Sequence, residues 1–248
     1  MKKDMRVLIQ SECMKLKRSW LLWITTLLPV FAVLEGVAYV RAASNHEASQ
    51  VWNSLYVGSA APYVFLIHPI LITLIYTMTA RMEHQQDNWK LLLSRPVNRG
   101  HLYLSKLLVG LLLILYSMLV LMIAMLAAGL LEGADASQLP WTWIFLRPLM
   151  SIVASLPMIG LIFLVSTEFS HAGWPLALGV GLSLPAILIS NSASWWIFYP
   201  WCYPIVVMLA ETGDTANQLN GLMWICLISF AAISAAGYIR FRNKEVLS

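Results

Sequence analysis

The sequence predicts an all-α integral membrane protein with six transmembrane helices and both termini in the cytoplasm. Three observations carry this. The chain is 59% hydrophobic and only 11% charged, with mean hydropathy +0.72, whereas a soluble domain carries roughly 25% charged residues. Six stretches reach the roughly 20 apolar residues needed to cross about 30 Å of hydrocarbon. Fourteen of the 16 Lys and Arg residues fall on one side of those stretches. Positive charge is retained on the cytoplasmic side of a bilayer, which fixes the orientation of the whole set.

The elements follow in order. Residues 1–19 form a basic, amphipathic N-terminal helix in which Val7, Leu8, Cys13, Met14 and Leu16 alternate with polar positions that include Glu12, Lys15, Lys17 and Arg18. The spans are expected at about 20–40, 60–80, 103–131, 147–167, 174–194 and 219–239. The third exceeds the length a bilayer requires and must tilt or protrude. The fourth and fifth contain Pro148, Pro157, Pro175 and Pro185, which remove backbone donors and bend helices. Between spans five and six lies an aromatic run with Trp195, Trp196, Tyr199, Trp201 and Tyr203, broken by Pro200 and Pro204. It reads as a re-entrant or interface-lying hairpin on the outer face, where aromatic rings favour headgroup level. Its alternative role is to engage a membrane-bound peptide. The whole of 1–248 reads as one membrane domain, with no repeat and no linker to a second one.

Most enzyme chemistry is excluded. No G-x-x-x-x-G-K-[ST] loop is present to cradle nucleotide phosphates, and no H-E-x-x-H pair is present to hold zinc. The four Asp residues (Asp4, Asp87, Asp135 and Asp214) all lie outside the spans. His68 is the one histidine at membrane depth. It has no acidic orienter, so it reads as a hydrogen-bonded core residue rather than a general base. Cys13, Cys202 and Cys226 fall in three separate regions and form no framework. The basic pI is explained by headgroups flanking the spans rather than by nucleic acid. No cofactor or metal is expected.

The most informative stretch is Arg81–Lys106. Residues 83–94 read as a short helix with Trp89, Leu92 and Leu93 on one face and Glu83, Gln86, Asp87 and Lys90 on the other. Pro96 turns the chain, and Asn98 can cap the third span. The bland reading is an anchor lying on the lipid surface. The functional one is a coupling helix that docks into another protein's groove. The short Arg95-Pro96-x-x-Arg99 turn and the mixed charge of the polar face favour docking.

This stretch carries a family resemblance. Glu83-His84, Asn88-Trp89-Lys90, Leu92-Leu93, Pro96-Val97, Arg99, Tyr103 and Lys106 form a pattern similar to the permease subunits of bacterial ABC exporters. In particular it resembles the small permeases of lantibiotic self-immunity and bacitracin-resistance transporters. Ser11-Glu12 and Lys15-Leu16-Lys17-Arg18-Ser19 resemble the opening of that family. The resemblance implies a multi-pass permease of the bacterial inner membrane, without catalytic residues. It implies separate ATPase subunits that bind ATP and Mg, and a second permease subunit, identical or similar. It implies an amphiphilic antimicrobial peptide as substrate. Residues 1–19 would be the connector helix. Glu83, Asp87, Trp89, Lys90, Leu92, Leu93, Pro96 and Arg99 would contact the ATPase, with Glu168 beside His171 as a smaller second contact or a plain solvated loop carboxylate. The alternative is a non-transporting scaffold or sensor that recruits a cytoplasmic partner through the same helix. An intramembrane hydrolase is a third reading, opposed by the missing nucleophile–base pair.

Glu35 is the one carboxylate inside a span. It lies about 22 Å along the helix from Trp20, roughly 8 Å short of the outer edge of the hydrocarbon. It either reaches the outer headgroups or makes a polar contact with a cationic amphiphile or a neighbouring helix. Arg41 and Arg147, at a similar level, are its candidate partners.

Overall fold

The computed structural model describes residues 8–12, 14–15, 19–42, 48–84, 99–169, 171–192, 194–209 and 216–243. Every regular element among them is helical. The helices are α1 (Leu21–Ala42), α2 (Ala48–Pro62), α3 (His68–His84), α4 (Arg99–Leu131), α5 (Arg147–Ala154), α6 (Leu156–Glu168), α7 (Gly173–Ile189), α8 (Tyr203–Leu209) and α9 (Ala216–Asn243). Residues 8–12 and 14–15 are also helical. Four helices are long and apolar enough to cross a bilayer: Leu21–Ala42, Gln50–Arg81, Gly100–Leu131 and Leu219–Arg242. Thr142–Ala154 and Leu156–Glu168 together make a fifth candidate, bent by 44°. The expected fifth span, 174–194, is the 17-residue α7, about 25 Å long and so shorter than about 30 Å of hydrocarbon.

The second span departs most from the sequence expectation. The stretch before residue 60, read as an outer loop, is helical from Ala48, and α2 runs into α3 through a π-bulge at Tyr63–Ile67. Ser49, Asn53, Ser54 and Ser59 lower the hydropathy of α2. Yet Val51, Trp52, Leu55, Tyr56 and Ala60 recur at helical spacing and are buried. Burial against neighbours, rather than all-round apolarity, makes this segment a helix. The bulge has a local cause. Pro69 cannot donate to the carbonyl of Phe65 and its ring would strike it. The turn widens, and the His68 N–H bonds instead to the Tyr63 carbonyl, five residues back. The same device recurs before Pro148, where the Arg147 N–H bonds to the Thr142 carbonyl.

The α2–α3 helix is the axis of the bundle. Helices α1 and α4 lie against it on one side, and α6 and α7 against α3 on the other. Helix α9 covers α6 and touches α4 and α5, while α8 sits on α5 and α2. At Gly36, a Cβ would meet Ser59 Oγ at 2.0 Å and the Leu55 carbonyl at 2.9 Å, so glycine is what lets α1 and α2 approach. Helix α4 is about 50 Å long and stops at a Schellman motif. Gly133 adopts φ 82, its N–H bonds to the Leu130 carbonyl, and the Ala134 N–H bonds to the Gly129 carbonyl.

Candidate functional site

The bundle has a basic end, marked by Arg81, Arg99, Lys106, Arg240 and Arg242, and a far end. At the basic end, α3 and α4 emerge on either side of residues 85–98. Asp87, Trp89, Lys90, Leu92, Leu93 and Pro96 of the expected coupling helix lie outside the described residues, as do Lys17 and Arg18 and the proposed Asn98 cap. Glu83 lies in the last turn of α3 and Arg99 opens α4, so both flank that segment. Glu168 is the exposed last residue of α6.

Just inside this end sits a buried ion-pair network. Lys106 Nζ donates to Glu12 Oε2 at 3.2 Å and to the Thr79 carbonyl at 3.3 Å. Lys15 Nζ donates to Glu12 Oε1 at 3.0 Å. The Lys106 and Glu12 side chains are only 2% and 3% exposed. The network ties the N-terminal helical segment to α3 and α4. Glu12 and Lys15 were legible as an amphipathic lead-in. Lys106 was legible only as part of the resemblance. Neither the buried pair nor Thr79's part in it was foreseen, because no periodicity links positions 94 residues apart. An aromatic cluster surrounds the level of Lys106. The Phe163 ring centroid lies 4.7 Å from Tyr103 and 5.2 Å from Tyr76, and Tyr103 also meets Tyr238 and Phe241. These rings join α3, α4, α6 and α9 into one body at this end.

At mid-depth, His68 Nε2 and Ser155 Oγ lie 2.7 Å apart and buried. Ser155 stands at the bend between α5 and α6. Its hydroxyl donates to the Ser151 carbonyl at 2.6 Å. With that hydroxyl proton donated to the Ser151 carbonyl, the tautomer that completes the pair carries its proton on Nε2 and donates to Ser155 Oγ. A ring nitrogen that donates to a serine is no base for it. The pair locks the bend to α3, in agreement with the core reading of His68.

At the far end, the expected partners of Glu35 are engaged elsewhere. Arg41 Nε bonds to Glu132 at 3.0 and 3.2 Å, because Glu132 sits just past the end of α4 beside the last turn of α1. Arg147 donates to the Met208 carbonyl at 3.1 Å and lies 5.7 Å over the Trp143 ring. It thus sits at the negative end of the α8 dipole. Tyr56 Oη donates to the same Met208 carbonyl at 2.7 Å. Glu35 itself is exposed on the outward face of α1, among Phe31, Leu34 and Tyr39, and has no polar partner among the described residues. Beyond α4, Asp135 accepts the Ser137 N–H at 2.9 Å, which holds its carboxyl below the usual range.

The aromatic run folds back on α7. Trp201 Nε1 donates to the Gly179 carbonyl, Tyr199 Oη to that of Leu182, and Cys202 Sγ to that of Ala186. Gly179 lies ten residues before the end of α7, about 15 Å along it. The segment therefore packs back along α7. Trp201 and Tyr203 are buried, Trp196 and Tyr199 half-buried, and Trp195 is exposed. Cys202 and Cys226 are free and buried. Among the described residues no cluster of His, Cys, Asp or Glu could hold a metal ion.

A bundle of long apolar helices held together by buried polar pairs defines a multi-pass integral membrane protein. Residues 8–185 match the family described as ABC-2 family transporter protein, and the chain belongs to that family. It is also similar to the probable ABC transporter permease protein NosY of Stutzerimonas stutzeri. The two are 26% identical over 272 residues, covering 92% of this chain and 94% of the relative. The chain is therefore the membrane permease subunit of an ABC transporter. It is not itself catalytic, and ATP hydrolysis belongs to a separate subunit.

Proposed function

We propose that this permease works in an exporter of the bacterial cytoplasmic membrane, with its basic end in the cytoplasm, and that its cargo is an amphiphilic antimicrobial peptide. The observation that supports this most is Glu35. A carboxylate turned toward lipid on an apolar helix face is unfavourable there. A cationic amphiphile moving along that face would supply the missing countercharge. The resemblance to lantibiotic-immunity and bacitracin-resistance permeases points the same way.

In this reading two permease subunits, identical or similar, form the path. Two ATPase subunits bind ATP and Mg and close on each other, pressing on residues 83–99 and, more weakly, on Glu168. The push enters α3 and α4 together, because that segment joins them. Helix α4 carries it to the far end, where Glu132 holds Arg41 of α1. To reverse a 1:99 distribution of inward- and outward-facing states, ATP-driven closure must supply about 5.5 kcal/mol of differential binding. The test is Glu35→Gln. Protection of cells against a cationic peptide should fall while the protein still inserts and assembles with its ATPase. Protection equal to wild type would refute the peptide reading and leave the transporter class standing.

A further inference from the structure

Glu12 is an unlikely residue to find buried. It belongs to a basic, polar stretch at the chain's start, yet it is 2% exposed. A carboxylate and an ammonium stripped of water gain little net stability over two apolar side chains of the same size. The pair therefore contributes position more than stability. Its geometry fits that role. Lys106 lies seven residues into α4, about 10 Å along the helix from Arg99. Thr79, whose carbonyl Lys106 also holds, lies five residues before the end of α3. Lys15 takes the second carboxylate oxygen from the half-exposed side, fixing the carboxylate plane so that Oε2 faces Lys106. The three elements gripping this point are the N-terminal segment and the two helices that flank residues 85–98.

We propose that Glu12 and Lys106 are positioning residues. Their ion pair pins the N-terminal helix to α3 and α4, so that a displacement delivered at 85–98 moves all three as one body. The proposal rests on the reading of 83–99 as the ATPase contact. The physical reason is sliding. An amphipathic helix held only by its apolar face shifts along a bundle at low cost, because the membrane surface replaces the lost neighbours. A buried ion pair forbids such a shift, because moving one partner by a helical turn of about 5.4 Å leaves both charges buried and separated. Without the pin, α3 and α4 would carry the stroke and the N-terminal helix would be left behind.

The test uses the full permease reconstituted with its ATPase subunits. Met14→Cys, 64% exposed on the N-terminal helix, serves as reporter. The rate of its labelling by a membrane-impermeant maleimide is measured with and without ATP and vanadate. The reporter is built on a Cys13→Ser background, and the other native cysteines, Cys202 and Cys226, are buried. ATPase co-purification is measured on the same preparations. The variants E12Q and K106M are expected to keep the ATPase and lose the nucleotide-dependent change in labelling. The double variant E12L/K106M leaves neither charge buried alone, so it assembles even where a single variant does not, and it too should lose the response. A full response in E12L/K106M, with the ATPase bound, would overturn the pin while leaving the ATPase contact intact. A wild-type protein that brings down no ATPase would instead overturn the underlying reading.

Discussion

Ser155→Ala removes the acceptor that His68 Nε2 uses at 2.7 Å, in a place where His68 is 1% exposed. A buried donor left without a partner costs about 1–3 kcal/mol. Hydrogen bonds between helices in membranes average only about 0.6 kcal/mol, with a maximum near 1.7, because unfolded-in-membrane chains find other partners. In the folded variant His68 cannot turn to a new partner, since α3 is clamped between α4, α6 and α7. The expected loss is therefore about 1–2 kcal/mol, or roughly a 5–30-fold fall in the folded-to-unfolded ratio. Reversible unfolding in mixed micelles measures it, run as a double-mutant cycle with His68→Phe. In the His68→Phe background, Ser155→Ala should cost little, because no orphaned donor remains. Transport-linked protection should survive both changes. Ser155→Ala as stable as wild type would refute the lock. A stable, assembled Ser155→Ala protein without activity would refute it more deeply, since the pair would then be doing chemistry.

Two other perturbations probe the bundle. Phe163→Ala should cost about 2–3 kcal/mol, from a void of about 100 Å3 at about 24 cal/mol per Å3. The transfer contribution is small because lipid is as apolar as the core. Thermal unfolding in detergent should show the loss together with a weakened hold on α9, and a melting curve equal to wild type would count against the aromatic cluster as a joint. Arg41→Ala should leave thermal stability close to wild type despite its forked contact with Glu132, because the Arg41 side chain is 69% exposed and the pair is screened by solvent. The same melting measurement at low and high salt checks this, and a large, salt-independent loss would contradict it.

The parts of this protein that were legible in the sequence are those set by lipid. Helices α1, α4 and α9 follow the apolar runs closely, and the bends of the fourth candidate span follow Pro148 and Pro157. Helix α2 was not legible by that rule, because its polar positions face neighbours or solvent and only one stripe is apolar. The two π-bulges each precede an X-Pro pair, His68-Pro69 and Arg147-Pro148, but Pro29 and Pro185 lie within helices without a bulge, so the pair alone does not mark one. The Arg41–Glu132 and Arg147–Met208 contacts were hidden for another reason. Depth along a span can be estimated from residue count, but the direction in which a side chain leaves its helix depends on which neighbour that face meets. Glu35 and Arg41 share a helix and a level, yet only Arg41 turns toward α4. The Glu12–Lys106 pair needed the whole topology, since the N-terminal helical segment meets α4 only when the bundle is assembled.

The central claim is that a separate ATPase drives this permease through residues 83–99. The most direct measurement is to purify the protein from its native membrane in mild detergent and identify what accompanies it, beside an Arg99→Glu variant. The account predicts an ATPase with a phosphate-binding loop in the wild-type preparation, and its loss from Arg99→Glu while the variant still inserts. An ATPase retained at full level by Arg99→Glu, or absent from wild type, would contradict it.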